Sequence, residues 1–322
     1  MAQAAEPIKV GVVGLGYFGS HHARHYAAHA GARLVAVVDT DPARACRAAE
    51  MHGAEALNDH RALIGKVDAA SITVPTSAQP AVAADLIEAG IHLFVEKPIA
   101  ADVPAAADLV ARAARKGTRL QVGHIERFAP AFRALRERIT APRLIECVRR
   151  TPWSGRAVDV DVVLDLMIHD IDLVLTLAAS PVVSVAASGV SVVTRSNDVA
   201  EARVVFANGI VATLATSRVA PAAERSIAVT EAGRRLVANL AAPELAIVAA
   251  AADGVAVERI ALPPSDNLAA EVDAFLKSVA SGAPPPVDGQ AGLDALKLAR
   301  MILTAIADGP RAAPVPTHGV TA

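Results

Sequence analysis

The sequence predicts an α/β protein: a doubly wound parallel sheet in residues 1–122, then a β-rich α+β unit in residues 123–322. Three observations carry this. Through residues 8–122, apolar runs ending in turn residues alternate with helical patterns, the order of a parallel sheet with right-handed crossovers. A glycine-rich turn, Gly14-Leu15-Gly16-Tyr17-Phe18-Gly19, joins the first run to the first helix. From Pro181 onward the pattern becomes short Ala- and Val-rich runs, with Asn208-Gly209 between two of them as a hairpin signal.

The first run, residues 8–13, is apolar except for Lys9 and Gly11 and reads as a buried parallel strand. It feeds the G-x-G-x-x-G turn, and residues 20–29 follow as a helix. Residues 34–38 form the next strand and end at Asp39. Asp41-Pro42 starts a helix that runs to about residue 51 and stops near Gly53, an acid at the N-cap and proline in the first turn. Strands follow at 69–74, 91–95 and 119–122, with helices at 78–89, closed by Gly90, and at 103–116, capped by Asp102. Ligands of such sheets lie outside the strand C-termini. The loops at 14–19, 75–79 and 96–98 therefore converge on one edge.

Within the glycine turn, Gly14 permits the tight bend, Gly16 lets the backbone approach a pyrophosphate and Gly19 allows close helix packing. The helix N-terminus then offers free N–H groups to an anion. Asp39 lies about 20 residues beyond the last glycine, where a ribose-binding acid belongs. The turn with its acid predicts a dinucleotide site. Asp39 favours NAD because it would repel the extra phosphate of NADP, and nearby Arg44 leaves NADP open.

Composition narrows the function class. With 322 residues, 53% hydrophobic and 20% charged, the chain has ample core for two units. A net charge of −2, without basic stretches interleaved with aromatics, argues against nucleic acid. The two cysteines, Cys46 and Cys147, suggest neither a disulfide framework nor a zinc site. The start of the chain lacks the look of a signal peptide and no apolar run suits a membrane span, so a cytoplasmic protein is expected. His21, His22, His25 and His29 on the first helix read as surface histidines, since no carboxylate interleaves them as a metal motif requires.

Gly123-His124 begins the crossing to the second unit, with a helix expected over 125–139 and a strand over 144–150. Residues 159–177 read as a helix. On it Asp161, Asp165, His169 and Asp172 fall within an arc of roughly 80° on an otherwise apolar cylinder. Such a stripe costs desolvation unless its groups are partnered or face a cavity, although Asp161 also fits an N-cap and Asp172 a solvated edge. An i,i+4 Asp165–His169 pair can set the carboxylate beside the imidazole. Runs at 182–193, 202–206, 210–216 and 225–229 read as strands of a sheet covered on both faces, one by helices and one by a second subunit. Helices are expected at 267–279 and 291–306, with a fraying tail after Gly309.

The glycine turn, Asp39, the Thr73-Val74-Pro75-Thr76 segment and Glu96-Lys97-Pro98 together resemble the glucose–fructose oxidoreductase, inositol dehydrogenase and MocA family. The resemblance spans nearly the whole chain. It implies a Rossmann domain joined to a large, mostly antiparallel open sheet, with hydride moving between NAD(P) and a sugar-like carbinol. Lys97 matches the family's active-site lysine, and a cation there can orient oxygen and stabilise a developing alkoxide. Asp165-x-x-x-His169 matches its D-x-x-x-H motif; either His169 or Lys97 is then the base, with Asp165 orienting His169 or holding a substrate hydroxyl. Gly14, Gly16, Tyr17, Phe18, Gly19, Asp39, Thr73, Pro75, Thr76, Glu96 and Lys97 become cofactor candidates, and His124, Arg127, Arg156 and Asp172 substrate candidates, the arginines for a pyrophosphate. Gln79 stands where the family often has a histidine, so no proton-transfer role attaches to it.

The strings Val122-Gly123-His124-Ile125-Glu126-Arg127-Phe128 and Leu164-Asp165-Leu166-Met167-Ile168-His169-Asp170-Ile171-Asp172 resemble the branch that includes UDP-N-acetylglucosamine 3-dehydrogenases. That branch implies a nucleotide-sugar substrate and a 3-ketone product passed to an aminotransferase for a 2,3-diamino sugar of lipid A; the sheet face left for a second subunit points to a homodimer or homotetramer. An inositol or free-sugar dehydrogenase and a nonenzymatic NAD sensor are the rivals.

Overall fold

The computed structural model describes residues 6–309. The first sheet has six parallel strands: β1 (Ile8–Val13), β2 (Ala32–Val38), β3 (Glu55–Leu57), β4 (Ala69–Ile72), β5 (His92–Val95) and β6 (Leu120–Val122), in the order β3-β2-β1-β4-β5-β6. Their crossovers are α1 (Tyr17–Ala28), α2 (Pro42–His52), α3 (Gln79–Glu88) and α4 (Val103–Lys116). Asp41 and Asp102 cap α2 and α4 as expected, accepting from Arg44 N and Ala105 N among others. Helix α1 begins a turn earlier than its periodicity suggested, directly at the glycine turn.

Beyond β6 the chain makes one 3₁₀ turn at Ile125–Phe128 and then α5 (Pro130–Arg138). The single helix expected over 125–139 is broken because Ala129 precedes a proline and is held extended, at φ −62° and ψ 128°. Strand β7 (Leu144–Arg150) is followed by a π-helical turn at Val163–Met167 that runs into α6 (Ile168–Ala178). The second sheet adds β8 (Val182–Val190), β9 (Val199–Phe206), β10 (Val211–Ser217), β11 (Glu224–Glu231), β12 (Arg234–Asn239), β13 (Glu244–Ala251) and β14 (Gly254–Ala261). Its order is β14-β13-β12-β11-β7-β10-β9-β8, and the β7–β10 pair alone is parallel. Thus the large, mostly antiparallel sheet forms as expected, with three strands, β12 to β14, beyond those singled out in the sequence.

Two long helices, α7 (Asn267–Ser281) and α8 (Gly289–Asp308), tie the sheets together. Helix α7 packs on α1, while α8 packs on α4, α6, β6 and β8. Val122 N donates to Val287 O at 3.0 Å, stitching the end of the parallel sheet to the loop before α8. Among the described residues, one face of the second sheet is well covered. Outward positions on its edge strands stay bare, with Val183 65% and Val255 71% exposed. The tail expected to fray, from residue 310, lies outside the described residues.

Candidate active site

The glycine turn is closed at Gly14 and Gly19 by contacts that leave no room for a side chain there. Gly14 has φ +89°, and a Cβ there would lie 2.9 Å from the Thr73 carbonyl. A Cβ on Gly19 would lie 1.8 Å from Gly14 O, so the helix meets the turn backbone to backbone. At Gly16 a Cβ would meet nothing within 4 Å, and no side chain caps α1, so its first N–H groups face open space. Thr73 Oγ1 donates to Gly14 O at 2.5 Å, spending its hydroxyl on the turn itself. A cavity of about 600 Å³ opens beside this turn, lined by Gly14, Gly16, Asp39, Thr73 and Pro75 together with Arg44, Asn58 and His60. An uncapped helix end, a side-chain-free turn and a buried acid fit a dinucleotide.

Asp39 is already engaged. Its carboxylate accepts from Leu15 N at 2.8 Å and Asp41 N at 2.9 Å, and Arg44 approaches to 3.3 Å. Arg44 therefore turns back onto the acid. Tyr17 and Phe18 are exposed at the helix start, and the Arg156 guanidinium lies 4.8 Å over the Tyr17 ring. Half-buried Thr76 is outside the lining of the cavity.

At the C-terminus of β5, Lys97 reaches across to the second unit. Its Nζ donates to Asp165 O at 2.6 Å and lies 3.5 Å from Asp165 Oδ1. The π turn shapes this contact: Ile168 N bonds to Val163 O, five residues back, and the widened turn presents the Asp165 carbonyl to the lysine. Burial lowers the Lys97 ammonium below its ordinary range, opposed by the Asp165 and Glu96 carboxylates. Burial, then the charges of Lys97 and Arg149, hold the His169 imidazole well below its ordinary range, so it is neutral at pH 7. Lys97 is the largest electrostatic influence on His169, and its contact with Asp165 sets the two motifs side by side.

The expected Asp165–His169 hydrogen bond does not form among the described residues; Asp165 faces Lys97 instead, and His169 Nδ1 is buried without a partner. His124 lies beside them, 1% exposed, with both ring nitrogens unpartnered. An imidazole so placed loses hydration and gains no hydrogen bond from the described residues.

Two substrate candidates are already paired with each other. Arg127 donates from Nε and Nη2 to Asp172 at 2.7 and 2.6 Å, and from Nη1 to Pro286 O at 3.1 Å. Three of its five N–H donors are thus spent within the protein. Asp172, 1% exposed, is the buried half of that pair rather than a solvated edge. Asp161 takes the N-cap alternative, accepting from Val163 N, Asn197 N and Asn197 Nδ2. His22 is also not a surface histidine: it is fully buried between Ser71 and Glu96. Among the described residues no cluster of His, Cys, Asp and Glu is placed to hold a metal.

Several groups at the site carried no sequence signal. Arg149 sits beneath the cleft in a buried triad with Asp170 and Glu126. Arg225, exposed on β11, is close enough to influence both His169 and Asp170 and has no carboxylate within 4 Å among the described residues.

Comparison with known proteins gives the lineage. Residues 8–124 match the model of an oxidoreductase family with an NAD-binding Rossmann fold, and residues 132–234 match the GFO/IDH/MocA C-terminal domain. The chain belongs to the GFO/IDH/MocA oxidoreductase family. It is therefore an NAD-dependent oxidoreductase acting on CH–OH groups. A UDP-N-acetylglucosamine 3-dehydrogenase of Acidithiobacillus ferrooxidans is 37% identical over 306 residues, covering 93% of this chain and 97% of that protein. The solved structure of that dehydrogenase superposes with a TM-score of 0.90 at 36% identity, over 94% of this chain and 98% of the other. Inositol 2-dehydrogenase of Rhizobium meliloti is 29% identical over 94% of this chain and 97% of its own length. A levoglucosan dehydrogenase solved with NADH and levoglucosan shares the fold at a TM-score of 0.85 and 20% identity, over 94% and 98% of the two chains. No helix among the described residues is long and apolar enough to cross a membrane.

Proposed function

We propose that this chain oxidises the 3-hydroxyl of UDP-N-acetylglucosamine to a ketone. The observation that carries the reading is the Lys97–Asp165 contact at the C-terminal edge of the parallel sheet, with His169 and His124 close enough to feel the lysine's charge. The likeness to the Acidithiobacillus dehydrogenase over nearly the full length supports the choice of sugar. NAD, when bound, accepts the hydride. The glycine turn, Asp39, Thr73 and Pro75 form its seat, with Tyr17 and Phe18 at the helix start. His169, neutral and short of a partner at Nδ1, takes the hydroxyl proton. Lys97, paired with Asp165, stays an ammonium and stabilises the alkoxide as it develops. His124 accepts or donates to the sugar ring. Arg156 and Arg225 offer guanidinium groups to the diphosphate.

Residues 1–122 act in this reading as the cofactor unit and 123–322 as the substrate and assembly unit. The bare edge positions of the second sheet suit a homodimer or homotetramer in the cytoplasm. The 3-ketone suits an aminotransferase that would complete a 2,3-diamino sugar for lipid A. Purified protein with NAD, assayed for NADH against UDP-N-acetylglucosamine, N-acetylglucosamine and myo-inositol, tests the substrate. The diphosphate contacts predict a preference for the nucleotide sugar of about a hundredfold in kcat/KM, equal to two charge-assisted hydrogen bonds. Equal or better turnover of inositol would replace this reading with the inositol dehydrogenase one.

Asp39→Ala is expected to weaken NADH binding about tenfold, read by cofactor fluorescence, because ribose hydroxyls lose a charged acceptor. Unchanged affinity would remove Asp39 from the seat.

A further inference from the structure

The fully buried His22 sits at the centre of a hydrogen-bonded relay that leads from the helix behind the glycine turn to the lysine loop. Its Nε2 lies 3.1 Å from Glu96 Oε1 and its Nδ1 3.0 Å from Ser71 Oγ, which in turn lies 2.7 Å from Tyr26 OH. Both His22 and Tyr26 are 0% exposed. Burial keeps the Tyr26 phenol protonated, so it enters the relay as a donor. The donors then run one way: Tyr26 OH to Ser71 Oγ, Ser71 OH to His22 Nδ1, and His22 Nε2–H to Glu96. That order fixes the imidazole tautomer and leaves none of the four groups unsatisfied.

Glu96 is held from its other side as well. Its Oε2 accepts from Lys97 N at 3.2 Å and packs against Gly123, where a Cβ would come within 2.9 Å. Only a glycine at 123 leaves space for the carboxylate in this pose. With 12% of its side chain exposed, Glu96 reaches the cleft edge beside Lys97.

We propose that His22 is a positioning residue, which aims the Glu96 carboxylate at the Lys97 loop and so sets the field in which Lys97 works. This rests on the role given above to Lys97. The charged and titratable groups around that ammonium are Glu96 after β5, Asp165 on the π turn, Arg149 on β7, His124 after β6 and His169 on α6. Of these, Asp165 and Glu96 are the two that favour its charge. A Glu96 set loose by loss of His22 withdraws one of them. Lys97 then deprotonates at lower pH, and the alkaline limb of the kcat profile moves to lower pH.

His22→Ala is expected to lower kcat about ten- to hundredfold with this shift of the alkaline limb, while NADH affinity stays within about twofold. His22→Gln, whose amide can donate to Glu96, restores most of kcat and the limb. Nitrogen NMR of histidine-labelled, cofactor-free protein reads the relay without turnover. His22 should be an Nε2–H tautomer whose signal moves in Glu96→Gln but not in Lys97→Ala. An unchanged pH profile in His22→Ala, or an Nδ1–H tautomer in the wild type, overturns the proposal. Should His22→Ala not fold, the tautomer and the Gln variant decide. Failure of the substrate reading looks different: the wild type itself would not turn over the nucleotide sugar.

Discussion

Lys97→Ala is expected to lower kcat on the order of 10³-fold while leaving NADH affinity within about twofold. Among the described residues the lysine ammonium is the one cation that touches the π turn, at 2.6 Å from Asp165 O. Its removal takes away both the charge opposite the developing alkoxide and the strut that holds Asp165. Lys97 also lies outside the lining of the cavity at Asp39, so cofactor affinity has little reason to change. A second effect follows from the electrostatics. Lys97 is the largest charge holding His169 below its ordinary range, so the variant lets the imidazole titrate at higher pH, read by NMR of the His169 ring. Full activity in Lys97→Ala, or an unmoved His169 titration, contradicts the assignment.

Arg149→Met is expected to cost about 3–5 kcal/mol of stability. Arg149 is 3% exposed and grips Asp170 through Nε and Nη2, at 3.0 and 2.8 Å, and Glu126 through Nη1 at 2.8 Å. Methionine fills much of the volume but strands two buried carboxylates. Burial already raises the Asp170 carboxyl, with Arg149 pulling it back down, so its loss raises the folded-state pKa further. A carboxyl raised in the folded state binds its proton more readily there than in the unfolded chain. The deficit is therefore largest at pH 8 and shrinks as pH falls through the raised pKa. Urea denaturation at pH 8 and pH 5.5 checks both the size and the sign. Activity falls with stability, because Asp170 adjoins His169 on α6 and anchors the turn that aims it.

These predictions divide by how legible their residues were. Lys97 and His169 could be read because each sits in a local string whose spacing has a geometric meaning, a strand end before proline and an i,i+4 pair on a helix. The glycine turn was legible for the same reason, since Gly14, Gly16 and Gly19 act within six residues. Arg149, Glu126 and Asp170 were not, because they come from β7, the 3₁₀ turn and α6 and meet only in the folded chain. Arg127 and Asp172 look like free substrate groups until they are found 2.6 Å apart. The π turn was likewise hidden: a 3.6-residue period predicts an Asp165–His169 contact, and one widened turn gives Asp165 to Lys97 instead. His22 shares its helix with His21, His25 and His29, and only the packing of α1 on β4 and β5 separates it from them. In the second sheet, β12 to β14 pair with neighbours in a simple meander, and weak Ala-rich alternation left them indistinct.

Hydride transfer from the sugar's C3 is the claim on which the mechanism turns, and an isotope label tests it most directly. UDP-N-acetylglucosamine carrying deuterium at C3 is incubated with NAD and the wild-type protein, with an aminotransferase and amino donor to draw off the ketone, and the reduced cofactor is analysed by mass spectrometry. Deuterium in the NADH formed, together with slower turnover than for the unlabelled sugar, is the predicted result. Reduced cofactor that carries only protium, or no reduction while inositol or a free sugar is turned over, would contradict it.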